Sequence, residues 1–117
     1  MADLILYHNP RCSKSREALK LLEDSDQNFL TFLYLNEDLN HVDLASLLDR
    51  LGISARELLR KNEDDYKSNN LMNIELGNAE LIEFMIQFPK IIERPILDNG
   101  MKAVIGRPPE KILDLLV

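Results

Sequence analysis

Cys12, the sole cysteine of the chain, is the residue best equipped for covalent chemistry. It stands in the stretch Tyr7-His8-Asn9-Pro10-Arg11-Cys12-Ser13-Lys14-Ser15-Arg16, where an apolar run stops and a helical pattern starts. Asn9-Pro10 is a turn signal, and from Ser13 the apolar residues Ala18, Leu19 and Leu22 fall at helical spacing. The spacing therefore puts Cys12 at the first turn of a helix, directly after a strand. Helix N-termini present unpaired backbone N–H groups and a partial positive charge. Such a place lowers a thiol's pKa, and the thiolate is the nucleophile. The same N–H groups bind anions, so one segment offers a reactive sulfur and an anion cradle together. Arg11, Lys14 and Arg16 add positive charge around it. Ser15 can hydrogen-bond the sulfur or the first helical turn, and a protonated His8 would favour the thiolate.

Three further residues fit an anion site. Arg60 ends a short helical segment, Arg94 precedes Pro95 at the start of a strand, and Arg107 follows Gly106 at the end of another. The planar fork of arginine suits tetrahedral oxyanions, which it binds through two parallel hydrogen bonds. Arg94 and Arg107 each adjoin a proline or glycine that sets the backbone, and Pro95 is a candidate cis proline. No metal centre is expected, because His8 and His41 are far apart and a single thiol is too little. No bound cofactor is expected either.

The elements that must position these residues follow from apolar spacing. Leu4–Tyr7 reads as a buried strand, Ser13–Leu22 as a helix, and Phe29–Leu35 as a second strand whose continuous apolarity suggests burial on both faces, as in a parallel pair. Together they make a βαβ unit. Asn40 can cap a helix with Leu44, Leu47, Leu48 and Leu51 on one face, stopped by Gly52. Ser54 and Glu57 form a capping-box signature for a short helix carrying Leu58 and Leu59. Asn62 to Asn70 reads as a loop, Leu71–Leu76 as a helix sooner than a strand. Asn78 caps a clear helix with Leu81, Phe84, Met85 and Phe88, ended by Pro89. Ile91–Leu97 and Met101–Ile105, joined by Asp98-Asn99-Gly100, read as a β-hairpin. Pro108 or Pro109 opens a final helix with Ile112, Leu115 and Leu116 inward. The order βαβ, helices, ββα is that of an α/β, thioredoxin-like (glutaredoxin-like) mixed sheet with an inserted helical region. It implies one domain over 1–117, with the insertion at about 37–90.

Composition narrows the function classes. A length of 117 residues suits one domain, and a net charge of −6 argues against nucleic acid as a partner. No apolar run approaches the roughly 20 residues that span a bilayer, and the start lacks a secretory pattern. A lone cysteine excludes an internal disulfide, so a reducing cytoplasm is the expected compartment. A monomer is expected.

The chain resembles the glutaredoxin-coupled arsenate reductase family over essentially its whole length. The family's loop pattern His-Asn-Pro-x-Cys-x-x-Ser-Arg matches His8, Asn9, Pro10, Cys12, Ser15 and Arg16. Its three oxyanion-binding arginines fall on Arg60, on Arg94 within Glu93-Arg94-Pro95-Ile96, and on Arg107 within Ile105-Gly106-Arg107-Pro108-Pro109-Glu110. The resemblance implies a thioredoxin-like fold and an arsenate reductase. In it the Cys12 thiolate attacks arsenate held by Arg60, Arg94 and Arg107, His8 and Ser15 stabilise the thiolate, glutathione is the co-substrate and glutaredoxin the protein partner. Composition agrees that the second reducing thiol must come from outside. Plasmid-type members carry Gly-Thr after the cysteine and Asn after the arginine, where this chain has Ser13-Lys14 and Glu17; in this it resembles the chromosomal branch. Two other functions use the same framework. A glutaredoxin-like thiol transferase would need Cys12 but tolerate loss of Arg60 and Arg107. A Spx-like regulator would bind RNA polymerase, often with a Cys-x-x-Cys switch that Ser15 removes.

Overall fold

The run Leu4–Tyr7 forms strand β1, and the run from Phe29 forms β2 (Phe29–Phe32). The two are parallel, with Leu4 opposite Phe29 and Tyr7 opposite Phe32. Parallel neighbours need a crossover, and helix α1 (Ser13–Asp24) supplies it. In the computed structural model, which describes residues 4–116, the chain divides into two compact units. One comprises the residues up to Glu37 together with those from Arg94 onward; the other is Asp38–Glu93.

In the first unit β3 (Ile96–Asp98) lies antiparallel to β1, and β4 (Ala103–Ile105) antiparallel to β3. The sheet order is β2-β1-β3-β4, the mixed thioredoxin-like arrangement expected. The β3–β4 turn is built by side chains: Asp98 Oδ1 accepts from the Gly100 N–H at 2.9 Å, and Asn99 Oδ1 from those of Met101 and Lys102 at 2.9 and 2.7 Å. Gly100 adopts φ +89°, which a residue without Cβ takes up without strain. Leu6 and Leu97 of the central strands, Ala18 and Leu22 of α1, and Ile112 are fully buried together. Burying each of the leucines contributes about 1.5–3 kcal/mol.

Two expectations for this unit change. Strand β2 is shorter than Phe29–Leu35 and forms an edge, with Leu30 57% exposed and Thr31 exposed. Its apolarity does not reflect burial on both faces, because only β1 pairs with it among the described strands. The final helix, Pro109–Leu115, is a 3-10 helix. In that geometry residues three apart share a face, and Pro109, Ile112 and Leu115 do so: the first two are buried, and Leu115 packs against the same core.

In the second unit α2 (His41–Leu51) is capped by Asn40, whose side chain accepts from the Asp43 N–H at 2.8 Å, and is stopped by left-handed Gly52. It packs against α4 (Asn78–Gln87), burying Leu44, Leu47, Leu48, Leu81 and Met85. The Ser54–Glu57 box closes a 3-10 turn, Arg56–Leu58, with Glu57 Oε2 accepting from the Ser54 N–H at 2.8 Å. The polar stretch expected to be loop contains a short helix, α3 (Asp64–Ser68), which buries Tyr66. Leu71–Leu76 is not helical: the Arg56 guanidinium takes the carbonyls of Leu71, Asn73 and Leu76, which a helix would need for itself. Asn78 begins α4 without capping it. Gly77 is the cap residue, its N–H donating to Glu80, and Asn78 Oδ1 accepts from the Ala55 N–H instead. Ile91 and Ile92 also leave the expected hairpin. Pro89–Ile91 is a 3-10 turn, and Ile92 bridges Leu59.

Candidate active site

The loop between β1 and α1 is fixed by its own polar groups. The His8 N–H donates to the Phe32 carbonyl at 3.0 Å, which continues the parallel ladder one residue past the strand. The Cys12 N–H donates to the Asn9 carbonyl at 3.0 Å and the Arg11 N–H to Asn9 Oδ1 at 3.0 Å. This is a turn with Pro10 at its second position, where the fixed φ of proline fits. Arg16 clamps the turn from the helix, donating from Nη1 to the Pro10 carbonyl at 2.9 Å. Cys12 then occupies the N-cap position of α1 in extended conformation.

The thiol's ionisation reflects competing effects. Partial burial pushes the Cys12 pKa up. Against it act the Ser15 N–H, a hydrogen bond and the charge from the Arg94 side chain, and the Lys14 N–H; together they hold the thiol below its ordinary value. The backbone N–H groups of the first helical turn thus favour the anion. Arg107 Nη2 lies 3.7 Å from Cys12 Sγ, and its Nε donates to the Arg94 carbonyl at 2.9 Å.

The two arginines are aligned by the backbone beside them. Gly106 N–H donates to the Pro95 carbonyl at 2.8 Å. A Cβ on Gly106 would meet Pro95 Cγ at 2.9 Å and Ile112 Cγ2 at 3.0 Å, so only glycine allows this approach. Both the Arg94–Pro95 and Arg107–Pro108 peptide bonds are cis.

His8 and Ser15 are both buried and meet each other, with His8 Nδ1 2.6 Å from Ser15 Oγ. The same hydroxyl accepts from the Asn9 N–H at 3.0 Å. Burial, then the charge of Arg16, lowers the His8 pKa. The ring is therefore neutral at neutral pH, and the expected electrostatic support from a protonated His8 is not available there. A neutral Nδ1 accepts the Ser15 proton, which leaves the hydroxyl oxygen to receive the Asn9 N–H. It is the Ser15 backbone N–H that acts on the sulfur.

The family model described as the ArsC family matches residues 7–115. The chain belongs to the ArsC family. An arsenate reductase of Haemophilus influenzae is 46% identical over 114 residues, 97% of this chain and 98% of that protein. An uncharacterized Escherichia coli protein, YfgD, is 47% identical over 112 residues, 95% of this chain and 94% of its own length. The solved structure of an arsenate reductase from Vibrio cholerae superposes with a TM-score of 0.92 at 38% identity, covering 97% of each chain.

Within this ArsC-family chain, the structure brings Cys12, Arg94 and Arg107 together and pairs the buried His8 and Ser15 with each other. Arg60 belongs to the other unit, where Nη1 donates to Glu93 Oε1 at 2.6 Å, both side chains about one-fifth exposed. Glu93 was not marked out by the sequence, although an acid directly preceding Arg94 was visible there. Among the described residues, no cluster of three or more His, Cys, Asp or Glu could hold a metal ion, and no helix is long and apolar enough to cross a membrane.

Proposed function

We propose that this chain is an arsenate reductase using Cys12 as nucleophile, with glutathione as co-substrate and glutaredoxin as protein partner. The observation that carries the reading is the convergence of Arg94 and Arg107 on the Cys12 thiol. A thiolate flanked by two guanidinium groups is arranged to receive an oxyanion, and ArsC membership makes arsenate the oxyanion of choice. The Cys12 thiolate attacks arsenic(V), and one arsenate oxygen departs as water after gaining two protons. Arg94 and Arg107 offset the charge on the remaining oxygens, and the family resemblance implies Arg60 as a third such residue. The glutathione thiolate then bonds to the Cys12 sulfur as the S–As bond breaks, and that electron pair stays on arsenic. Arsenic leaves as arsenite, two electrons richer, and the two sulfurs become a mixed disulfide. A glutaredoxin thiol attacks the glutathione sulfur and restores the Cys12 thiolate. Such thiol cycling requires a reducing compartment, and we place it in the cytoplasm. The partners of Cys12 all come from one chain, so a monomer suffices.

The test is arsenite formation by the purified protein with arsenate, glutathione and glutaredoxin. Cys12→Ser should abolish it. Arg94→Ala and Arg107→Ala should each lower kcat/KM by roughly 10²–10³-fold, the scale for losing one preorganised donor to a developing oxyanion. A wild-type protein that forms no arsenite with both reductants present would end this reading.

A further inference from the structure

The turn that delivers Cys12 has one peptide group held at both of its ends. Asn9, Pro10, Arg11 and Cys12 are its four residues, closed by the Cys12 N–H on the Asn9 carbonyl at 3.0 Å. The central peptide joins Pro10 to Arg11. Its N–H donates to Asn9 Oδ1 at 3.0 Å, and its carbonyl accepts from Arg16 Nη1 at 2.9 Å. Turns of types I and II share the closing bond and differ by a flip of this one peptide, type II needing a φ of about +80° at the third residue. That residue is Arg11, and the non-glycine residues of positive φ among those described are Asp26 and Asn70. The turn is therefore in the unflipped, type I form. Asn9 is buried, and its own N–H donates to Ser15 Oγ at 3.0 Å, so the residue that takes the Arg11 N–H is itself anchored.

We infer that Asn9 is a positioning residue for Cys12: its Oδ1 locks the Pro10–Arg11 peptide in one orientation and so fixes where the sulfur sits. Where turnover is concerned, this rests on the arsenate reductase reading above. The closing bond uses the Asn9 backbone and survives any substitution there. What the side chain adds is the choice between two turns. Without Oδ1 the Arg11 N–H loses its partner, and the peptide is free to exchange orientation. Cys12 follows directly, so an exchanging loop offers its sulfur in more than one place. Asparagine carries no charge, and its role is orientation, not attraction of the oxyanion.

Asn9→Ala in the full chain tests this. The kcat for arsenate reduction should fall roughly 10–10²-fold, the scale for a small misplacement of a reacting group. The arsenate KM should stay within about threefold, because Arg94 and Arg107 are untouched. The pH midpoint of Cys12 alkylation by iodoacetamide should rise, since the Lys14 and Ser15 N–H groups that favour the thiolate would meet the sulfur for only part of the time. A substitution that merely loosens the fold would move neither quantity in the folded protein. Asn9→Ser should fall between wild type and Asn9→Ala in both measurements, because a hydroxyl takes the same N–H more weakly. It carries the test if the alanine variant does not fold. A folded variant with a wild-type midpoint, with a wild-type kcat, or with a loss confined to the arsenate KM would overturn the inference. Wild-type protein that makes no arsenite would sink the functional reading alone, because the alkylation midpoint is read without arsenate.

Discussion

Arg107 Nη2 stands 3.7 Å from Cys12 Sγ, a contact between residues 95 positions apart in the chain. It is made possible by a sheet in which β1, leading into the Cys12 loop, is hydrogen-bonded to β3, and β3 to β4. The nucleophile and the guanidinium groups are therefore carried by segments that flank neighbouring strand ends.

The thiol should titrate below its ordinary value. The rate of alkylation by iodoacetamide, followed against pH, gives its midpoint. Arg94 hydrogen-bonds the sulfur and favours its anion, so Arg94→Ala should move the midpoint upward. A midpoint that stays put in the variant would mean that the backbone N–H groups of Ser15 and Lys14 carry the effect.

Acid should weaken the loop through His8. Its pKa is lowered in the folded protein, so just below the ordinary histidine value of about 6.5 the unfolded chain binds more protons. Stability then rises with pH across that window and is lost as pH falls through it. Protonated Nδ1 is also a donor, in conflict with the proton that Ser15 shares with it. Urea denaturation at pH 7 and pH 5 should show a larger loss for wild type than for His8→Gln; equal losses would refute this role.

Ser15→Ala removes the hydroxyl that accepts the Asn9 N–H and meets His8 Nδ1. Two buried polar groups lose their partner. Leaving such a group unsatisfied costs about 1–3 kcal/mol, and denaturant melts should show a loss in that range or above it. The midpoint of Cys12 alkylation should stay at its wild-type position, because the Ser15 backbone N–H survives the change.

Gly106→Ala places a methyl group 2.9 Å from Pro95 Cγ and 3.0 Å from Ile112 Cγ2. Pro95 is a stiff ring and Ile112 is fully buried, so the backbone on either side must shift. Overpacking of this kind costs about 1–3 kcal/mol. Because Arg107 is the next residue, arsenite formation should fall by more than the stability change accounts for at a temperature where the variant is fully folded.

Asn40→Ala makes a contrasting control. It removes the cap on α2, a loss of about 0.5–2 kcal/mol. The melting temperature should drop, while kcat measured well below it stays at the wild-type value.

Much of this was legible in the sequence because it depends on local chemistry. Asn40 and Gly52 bounded α2, Asn9-Pro10 marked the turn, and the helical spacing of Ala18 and Leu22 set the inner face of α1. What escaped was decided by distant partners. Leu71–Leu76 has helical composition, but Arg56 claims its carbonyls from outside the segment. Phe29–Leu35 is apolar enough for a central strand, yet its place at the edge follows from the order of the whole sheet. In the site, the types and positions of Cys12, Arg94 and Arg107 were readable. The pairing of His8 with Ser15 was not, since spacing alone does not say whether a hydroxyl faces a sulfur or an imidazole. Nor was the pairing of Arg60 with Glu93, which needs the short bridge through Leu59 and Ile92.

The unit that carries Cys12 is assembled from the two ends of the chain, residues up to Glu37 and residues from Arg94 onward. During synthesis the N-terminal segment leaves the ribosome first, at about 5–20 residues per second. Until the later segment follows, β1 has no β3 beside it and the sulfur has neither guanidinium near it. The nascent polypeptide thus lacks the Arg94 contribution that lowers the thiol's pKa until residues 94–107 have been made. The order of the chain itself delays the moment at which its one thiol gains that activation.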